Sequence, residues 1–314
     1  MNRRQALLLT PLGVAGGLVA WAAAANGADP TSASRSGGPT TIPATSTSAT
    51  PTVLPGPPVG TRPSPPAAPR TFAERSAAAT AALKARKVGG RVVFGVAIHN
   101  ARTRETFSYR GGTQFETASI AKADILAALL LRAQDDADDA ISGYQRSLAV
   151  RMITVSDNNA AHALWRMAGG SSGVGRANRR LGLRDTDTSS FTWGLIKTTP
   201  ADQVRLLGCI AGDRGSPLSA ASSDYLLDLM SEVSSAQTWG VPAIVRNGER
   251  YAVKNGWLPR SIDSYRWIVN SIGRISGPKT DLRVAVLSRG NASMGAGIAL
   301  VEGVARQVRA ELRW

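Results

Sequence analysis

The stretch FETASIAKADILAALLL, residues 115–131, decides how the rest of the chain is read. From Ile120 onward it is an apolar helix, with Ala121, Ile125, Leu126, Leu129 and Leu130 recurring at helical spacing. Such a helix is buried, yet this one begins at a serine and carries Lys122 one turn later. Residues three apart share a helix face, so Ser119 and Lys122 point the same way. Burial disfavours a charged amine, and a neutral amine beside a hydroxyl is a base beside a nucleophile. A second reading is open on these residues alone: Ser119 caps the helix and Lys122 snorkels to water.

Two further motifs bear on the choice. Ser156-Asp157-Asn158 opens a helical stretch, VSDNNAAHALW, 37 residues after Ser119. Lys254-Asn255-Gly256 ends an expected strand 98 residues after Ser156. The competing signals are weaker. Gly169-Gly170-Ser171-Ser172-Gly173 has the form of a nucleophile elbow, but both histidines precede Ser171 and no strand leads into it, so it reads as a helix-ending loop. Ser276-Gly277-Pro278-Lys279 repeats the serine–lysine spacing, but its Gly-Pro cannot sit on a helix. Lys87-Val88-Gly89 precedes the serine.

Around these motifs the chain of 314 residues divides by composition. Arg3 and Arg4 precede a 20-residue apolar run, residues 6–25, which reads as an export signal, with the arginine pair suggesting twin-arginine export, or as a retained anchor, over residues 1–28. The sole cysteine is Cys209, so no lipid anchor follows this segment and no disulfide framework exists; Cys209 itself reads as a small buried hydrophobe. Residues 29–70 hold 11 of the 17 prolines with many Ser and Thr, a composition that cannot bury enough apolar surface to fold and reads as a spacer. Residues 71–314 suit one domain.

Within that domain the patterns give a helix over 71–87, two strands over 91–110, a helical block from Ser119 to about Met230 with a long loop over 183–199, three strands over 249–289, and a final helix over 294–312. The expected fold is α/β (α+β): an antiparallel sheet flanked by the terminal helices, a helical lobe inserted between its strands, and the active site between lobe and sheet. His99 and His162 lie far apart without partner cysteines, so neither a metal site nor a cofactor is expected. The net charge of +15 predicts attraction to polyanions. Export and the absence of a nucleic-acid motif point to an anionic wall polymer or lipid instead of nucleic acid.

The three ordered motifs resemble those of the penicillin-recognising serine hydrolases, most closely the class A β-lactamases, whose fold is β-lactamase/transpeptidase-like. FETASIAK resembles the family's F-x-x-x-S-x-x-K, VSDNNAAHALW its S-D-N helix, VKNGW its K-T-G strand, and KTTPADQVRLL the segment after its Ω-loop. The resemblance implies a catalytic set of Ser119, Lys122, Ser156 and Lys254. Substrate contacts fall to Asn158, Asn255, Gly256 and Trp257, and the backbone N–H groups of Ser119 and Trp257 form the oxyanion hole. It also implies no cofactor, a monomer, and as ligand a β-lactam or a peptidoglycan stem peptide.

The departures cluster on one step. The family's Ω-loop glutamate activates the water that cleaves the acyl-enzyme. Here no glutamate occurs between Glu116 and Glu232, and the loop offers only Asp185 and Asp187. His162 stands where an asparagine braces that loop, Asn255 replaces a hydroxyl, and Trp257 is bulky beside the oxyanion hole. The short interval from Ser119 to Ser156 implies a reduced helical lobe. Acylation is therefore expected to be intact and deacylation impaired, with His162 a candidate either for the missing base or for a loop brace. The expected function is a serine hydrolase acting by acyl-enzyme chemistry on β-lactams or D-Ala-D-Ala-type cell-wall peptides, with a D-alanyl-D-alanine carboxypeptidase or penicillin-binding protein, or a non-catalytic wall-bound module, as alternatives.

Overall fold

A computed structural model describes residues 70–136 and 140–314. The expected export segment and all but the last residue of the expected spacer lie outside the described residues. The chain forms α1 (Phe72–Ala85), β1 (Val93–Asn100), β2 (Glu105–Tyr109), β3 (Phe115–Glu116), α2 (Ala121–Asp135), α3 (Gly143–Thr154), α4 (Asn158–Met167), α5 (Gly170–Arg180), β4 (Lys197–Thr198), α6 (Pro200–Ile210), α7 (Ala220–Ser231), β5 (Arg250–Arg260), β6 (Arg266–Gly277), β7 (Thr280–Asn291) and α8 (Met294–Leu312). Among the described residues no helix is long and apolar enough to cross a membrane.

Five strands make one antiparallel sheet in the order β2-β1-β7-β6-β5. The two-residue turn at Pro278-Lys279 closes the β6–β7 hairpin, with Gly277 opposite Thr280, which disposes of the second serine–lysine motif. β1 pairs with β7, Val96 opposite Val286, so the first and last strands meet in the middle of the sheet. β7 is buried on both faces because one face carries α1 and α8 and the other the helical lobe. Each terminal helix is set by its cap: Thr71 and Glu74 form a capping box at α1, and Ser293 accepts from Ala296 N at α8.

Every residue of α2 from Ala121 to Leu131 is buried. This is the signature of a central core helix, not an amphipathic surface one. The Gly169–Gly173 stretch corrects its expected reading. The glycines do end α4, but Gly169, at φ 90°, is the N-cap of α5 and Ser171 lies in that helix's first turn. Its hydroxyl donates to Thr188 O, so Ser171 ties α5 to the loop that follows. Cys209 is half-buried against the lobe core, where burial pushes its thiol up to about 11.

One buried group in α2 is unfavourable. Asp124 accepts one hydrogen bond, from Asn178 Nδ2 at 3.1 Å, while its Oδ1 and Asn178 Oδ1 have no partner among the described residues. Burial pushes its carboxyl up to about 7. A raised acid pKa means that stability is lost as pH climbs from the unfolded value of about 4 through 7. Asp124→Asn removes the ionised form and supplies an N–H for Asn178 Oδ1. Chemical denaturation should show it more stable than the native protein by about 1–3 kcal/mol at pH 8, with the gain shrinking at pH 5. An equal effect at both pH values rules out the ionisation argument.

Candidate active site

The site lies where α2 begins, and its first feature is a tight turn. β3 pairs with β4, Phe115 opposite Thr198, and directly after it Thr117 N donates to Ile196 O at 2.8 Å. Ala118 follows at φ 47°, a left-handed conformation costly for a residue with a Cβ, and Ser119 then sits in a 3-10 turn, Ala118–Ile120, leading into α2. The Ser119 N–H, at the start of this turn, has no backbone acceptor among the described residues.

Two residues hold the turn against the sheet. Gly256, on edge strand β5, comes so close that a Cβ there would stand 2.7 Å from Ser119 N and 2.8 Å from Thr117 O. Asn270, on neighbouring β6 opposite Gly256, is fully buried; its Nδ2 donates to Glu116 O at 2.9 Å and Thr117 O at 3.1 Å, and its Oδ1 accepts from Ser288 N at 3.0 Å. Asn270 was missed in the sequence, although a polar residue inside the apolar run WIVNSIGRI marked it as a candidate. Gly256→Ala forces a methyl group onto two backbone atoms that cannot yield. The expected result is a loss of about 1–3 kcal/mol in stability and at least a tenfold drop in the rate of covalent labelling at Ser119 by penicillin, read by mass spectrometry. Unchanged labelling would show that the turn has room to shift.

The second feature is a pair of buried lysines sharing one hydroxyl. Lys122 Nζ is within hydrogen-bond reach of Ser156 O at 2.6 Å, Ser156 Oγ at 2.9 Å and Asn158 Oδ1 at 2.8 Å. None of these bonds goes to Ser119 Oγ. Lys254 Nζ donates to the same Ser156 Oγ at 3.2 Å, to Gln237 Oε1 at 3.1 Å and to Asn255 O at 3.1 Å. Both lysines are fully buried. Burial lowers the Lys122 ammonium to about 7, against a weaker opposing pull from Asp157. Burial and then the charge of Lys122 hold Lys254 well below the ordinary lysine value. Three oxygens surround Lys122 Nζ, and the Ser156 hydroxyl among them can accept from an ammonium or donate to the lone pair of a neutral amine. Asp157 is the α4 N-cap, accepting from Ala160 N at 2.8 Å. Ser156 is held at φ 58° just before it.

The structure separates the expected substrate contacts. Asn158 is exposed, and Trp257 is half-buried with its ring meeting Trp239 edge-on. Asn255 departs from the expectation of direct contact. It is 1% exposed, and its Nδ2 donates to Gln237 O at 2.8 Å and Trp239 O at 3.0 Å. An amide has two N–H groups, and both are used on the 237–239 segment. Alternation along a strand explains this, since Asn255 points to the opposite side from its neighbours Lys254 and Gly256. Gln237, which holds both Lys254 and Asn255, lies in a loop with no recognisable motif.

The third feature is the loop over 183–199. Asp202 anchors its start, accepting from Arg184 N, Asp185 N and Thr186 Oγ1 at 3.0, 2.7 and 2.8 Å. Asp185 and Asp187 are exposed, and Asp187 pairs through its backbone with Lys197. The loop returns to the Ser119 turn through Trp193, whose carbonyl accepts from Thr117 Oγ1 at 3.1 Å. The Trp193 ring is buried and lies 4.8 Å from Lys122 Nζ. Its Nε1 donates to His162 Nδ1 at 3.2 Å, the two rings meeting edge-on. His162 Nδ1 is therefore an acceptor occupied by the loop.

The model of the beta-lactamase enzyme family matches residues 143–312, which contain Ser156 and Lys254. Proteins of Mycobacterium tuberculosis and Mycobacterium bovis named "Putative lipoprotein LppW" are 32% identical over 157 residues, 47% of this chain and 49% of theirs. The chain thus spans about half the length of the curated relatives it matches. Among solved structures, PBP-A is similar at a TM-score of 0.64 and 21% identity over 76% of this chain and 96% of that one. A mutant of PBP-A in an acyl-enzyme complex with penicillin-G gives 0.65 and 21% over 78% and 98%. A beta-lactamase from Sphaerobacter thermophilus gives 0.61 and 22% over 77% and 98%.

Proposed function

The chain belongs to the beta-lactamase enzyme family, and from that premise we propose that it is a serine hydrolase that acylates Ser119 rapidly and releases the acyl group slowly. The observation that carries this reading is the Ser156 hydroxyl held between Lys254 and Lys122, the latter one turn after Ser119. Ser119 Oγ attacks the carbonyl carbon of a β-lactam or a D-alanyl-D-alanine peptide, and its proton passes to neutral Lys122. For this, Nζ exchanges one of its contacts in the 156–158 segment for Ser119 Oγ, as catalytic hydrogen bonds commonly tighten only with substrate bound. The N–H groups of Ser119 and Trp257 receive the developing oxyanion. The C–N bond breaks, Ser156 gives its proton to the leaving nitrogen, and the proton held on Lys122 restores the Ser156 hydroxyl. Lys254 offers N–H groups to a substrate carboxylate and Asn158 an exposed amide to the substrate backbone. Asn255 supports this set by fixing the 237–239 segment.

Slow release follows from Trp193. The space above Lys122, from which a carboxylate would activate water, holds an indole, and the two loop aspartates are exposed elsewhere. His162 serves as a brace in this reading, because the nitrogen it turns to the loop is engaged by Trp193. A stable acyl-enzyme suits a D-alanyl peptidase or penicillin-binding role better than rapid β-lactam hydrolysis. The residues before 70 place the domain outside the cytoplasm in this proposal, tethered or secreted, where an excess of positive charge meets anionic wall polymer.

The test is mass spectrometry after exposure to fluorescent penicillin. A stoichiometric adduct on the tryptic peptide containing Ser119 is expected, absent in Ser119→Ala. Persistent labelling in that variant, or none in the native chain, removes the proposal.

A further inference from the structure

A cavity of about 590 Å³ opens between α5 and the loop from Leu183 to Ser189, and none of the residues assigned to the reaction lines it. Leu183 is its one large apolar side chain, so its walls are polar. Three cations, Arg176, Arg179 and Arg184, stand against one carboxylate, Asp187, whose Oδ1 accepts from Ser189 N at 2.9 Å. All three arginines are exposed, and none has a carboxylate within ion-pair distance among the described residues. Arg180, the next residue of α5 after Arg179, is different: it holds Asp135 with two bonds, at 2.6 and 3.1 Å.

Helix chemistry accounts for only part of this charge. Arg176 and Arg179 are three apart, and Arg176 and Arg180 four apart, spacings at which like charges on a helix repel. A cation in the last turn offsets the helix dipole, which explains Arg179 and Arg180. It does not explain Arg176, in mid-helix, or Arg184, beyond the helix end. The fold instead gathers them along one groove. Ser171 Oγ donates to Thr188 O, and Thr188 Oγ1 donates to Ser171 O at 3.1 Å, so loop and helix are clamped together. Gly175 lets the loop lie close, since a Cβ there would stand 2.8 Å from Thr188 Oγ1. The walls are thus fixed, while the guanidinium groups on them are free to turn to a ligand.

The donors set the ligand class. An arginine fork pairs with an oxyanion through two N–H groups at once. Arg176 and Arg179 are separated by about 4.5 Å along the helix axis, and Arg184 stands on the opposite wall. A chain of repeated negative charges can serve all three together. Ser172 and Ser189 add an exposed hydroxyl on each wall. A planar carboxylate spends both its oxygens on one fork, whereas a tetrahedral phosphate keeps an oxygen for a donor on the other wall.

We propose that the groove between α5 and this loop binds a linear polymer carrying repeated phosphate groups. The proposal is independent of the acyl-enzyme reading, because Ser119 and its partners lie outside the groove. The probe is long-chain inorganic polyphosphate, titrated by calorimetry into the full-length protein at constant ionic strength. The groove variant, with Arg176→Gln, Arg179→Gln and Arg184→Gln together, should bind at least about tenfold more weakly. A control variant carries Lys84→Gln, Arg102→Gln and Arg250→Gln, three exposed cations elsewhere, so both variants lose the same charge from the native +15. The control should bind within about twofold of native, since salt screens charges distant from the groove. Equal weakening in the two variants means that net charge alone attracts the polymer, and it overturns the site. Hydrogen exchange on the native chain needs no variant: polyphosphate should slow the amides over residues 170–190, and protection that falls elsewhere overturns the site as well. Poly-glutamate bound as tightly as polyphosphate overturns the phosphate assignment. Inorganic phosphate bound as tightly as the polymer overturns the requirement for a chain. Penicillin labelling of Ser119 is measured in parallel and should be the same in the groove variant and the native chain. Polyphosphate binding to a native chain that penicillin does not label leaves the groove standing and overturns the acyl-enzyme reading instead.

Discussion

Lys122→Met is expected to lower the rate of Ser119 acylation by about 10²–10⁴-fold, the range for loss of a general base. The mutant keeps the buried volume of the side chain but removes the only amine at the start of α2. The native protein should show the same dependence through pH. With Lys122 lowered to about 7 by burial, the proton acceptor is present above that value and blocked below it. The second-order rate of penicillin labelling should therefore rise about tenfold per unit from pH 5 to near 7 and then level off. In Lys122→Met the limb near 7 should be gone. The comparison is made on folded protein, because Met also leaves Ser156 O and Asn158 Oδ1 without their donor. A labelling rate within a few-fold of native, or a limb that persists in the variant, assigns the proton acceptor to another group.

The second large effect concerns release. Trp193→Glu puts a carboxylate where the indole now lies over Lys122, on a turn still held by the Thr117 bond to the residue 193 carbonyl. The change removes a buried aromatic side chain, so some stability is lost. Trp193→Gln loses the same packing and has the same shape as Glu, but cannot take a proton. The expected result is an acyl-enzyme that decays about 10²–10⁴-fold faster in Trp193→Glu than in Trp193→Gln, the range for gain of a positioned base. Decay is followed by recovery of free Ser119 in mass spectra after penicillin is removed. Equal decay in the two variants would mean that the block on release lies in solvent access and not in the missing carboxylate.

The pattern-bearing parts of this molecule were legible in its sequence. The terminal helices, the five strands of the sheet and the central helix appeared within a few residues of their observed limits, because each carries its own apolar period and capping residues. Ser119, Lys122, Ser156 and Lys254 were legible for a related reason: each lies at a fixed place on such an element. Three things were not. Asn270 reaches the Ser119 turn from a strand more than 150 positions away, and its place in an apolar run marks it as unusual without naming its partner. Asn255 has its side chain on the side of β5 facing the 237–239 segment, which depends on how a motifless loop packs there. Trp193 fills the space over Lys122 because Thr117, Asp202 and His162 dock the loop in that position, whereas its sequence shows only the absence of a glutamate. Periodicity and spacing are properties of neighbouring residues, so the sequence by itself determined the elements, their order and where Ser119, Lys122, Ser156 and Lys254 sit on them. Which groups meet across the β1–β7 pairing and between loop and helix depends on burial shared by distant segments, and only the tertiary structure decided that.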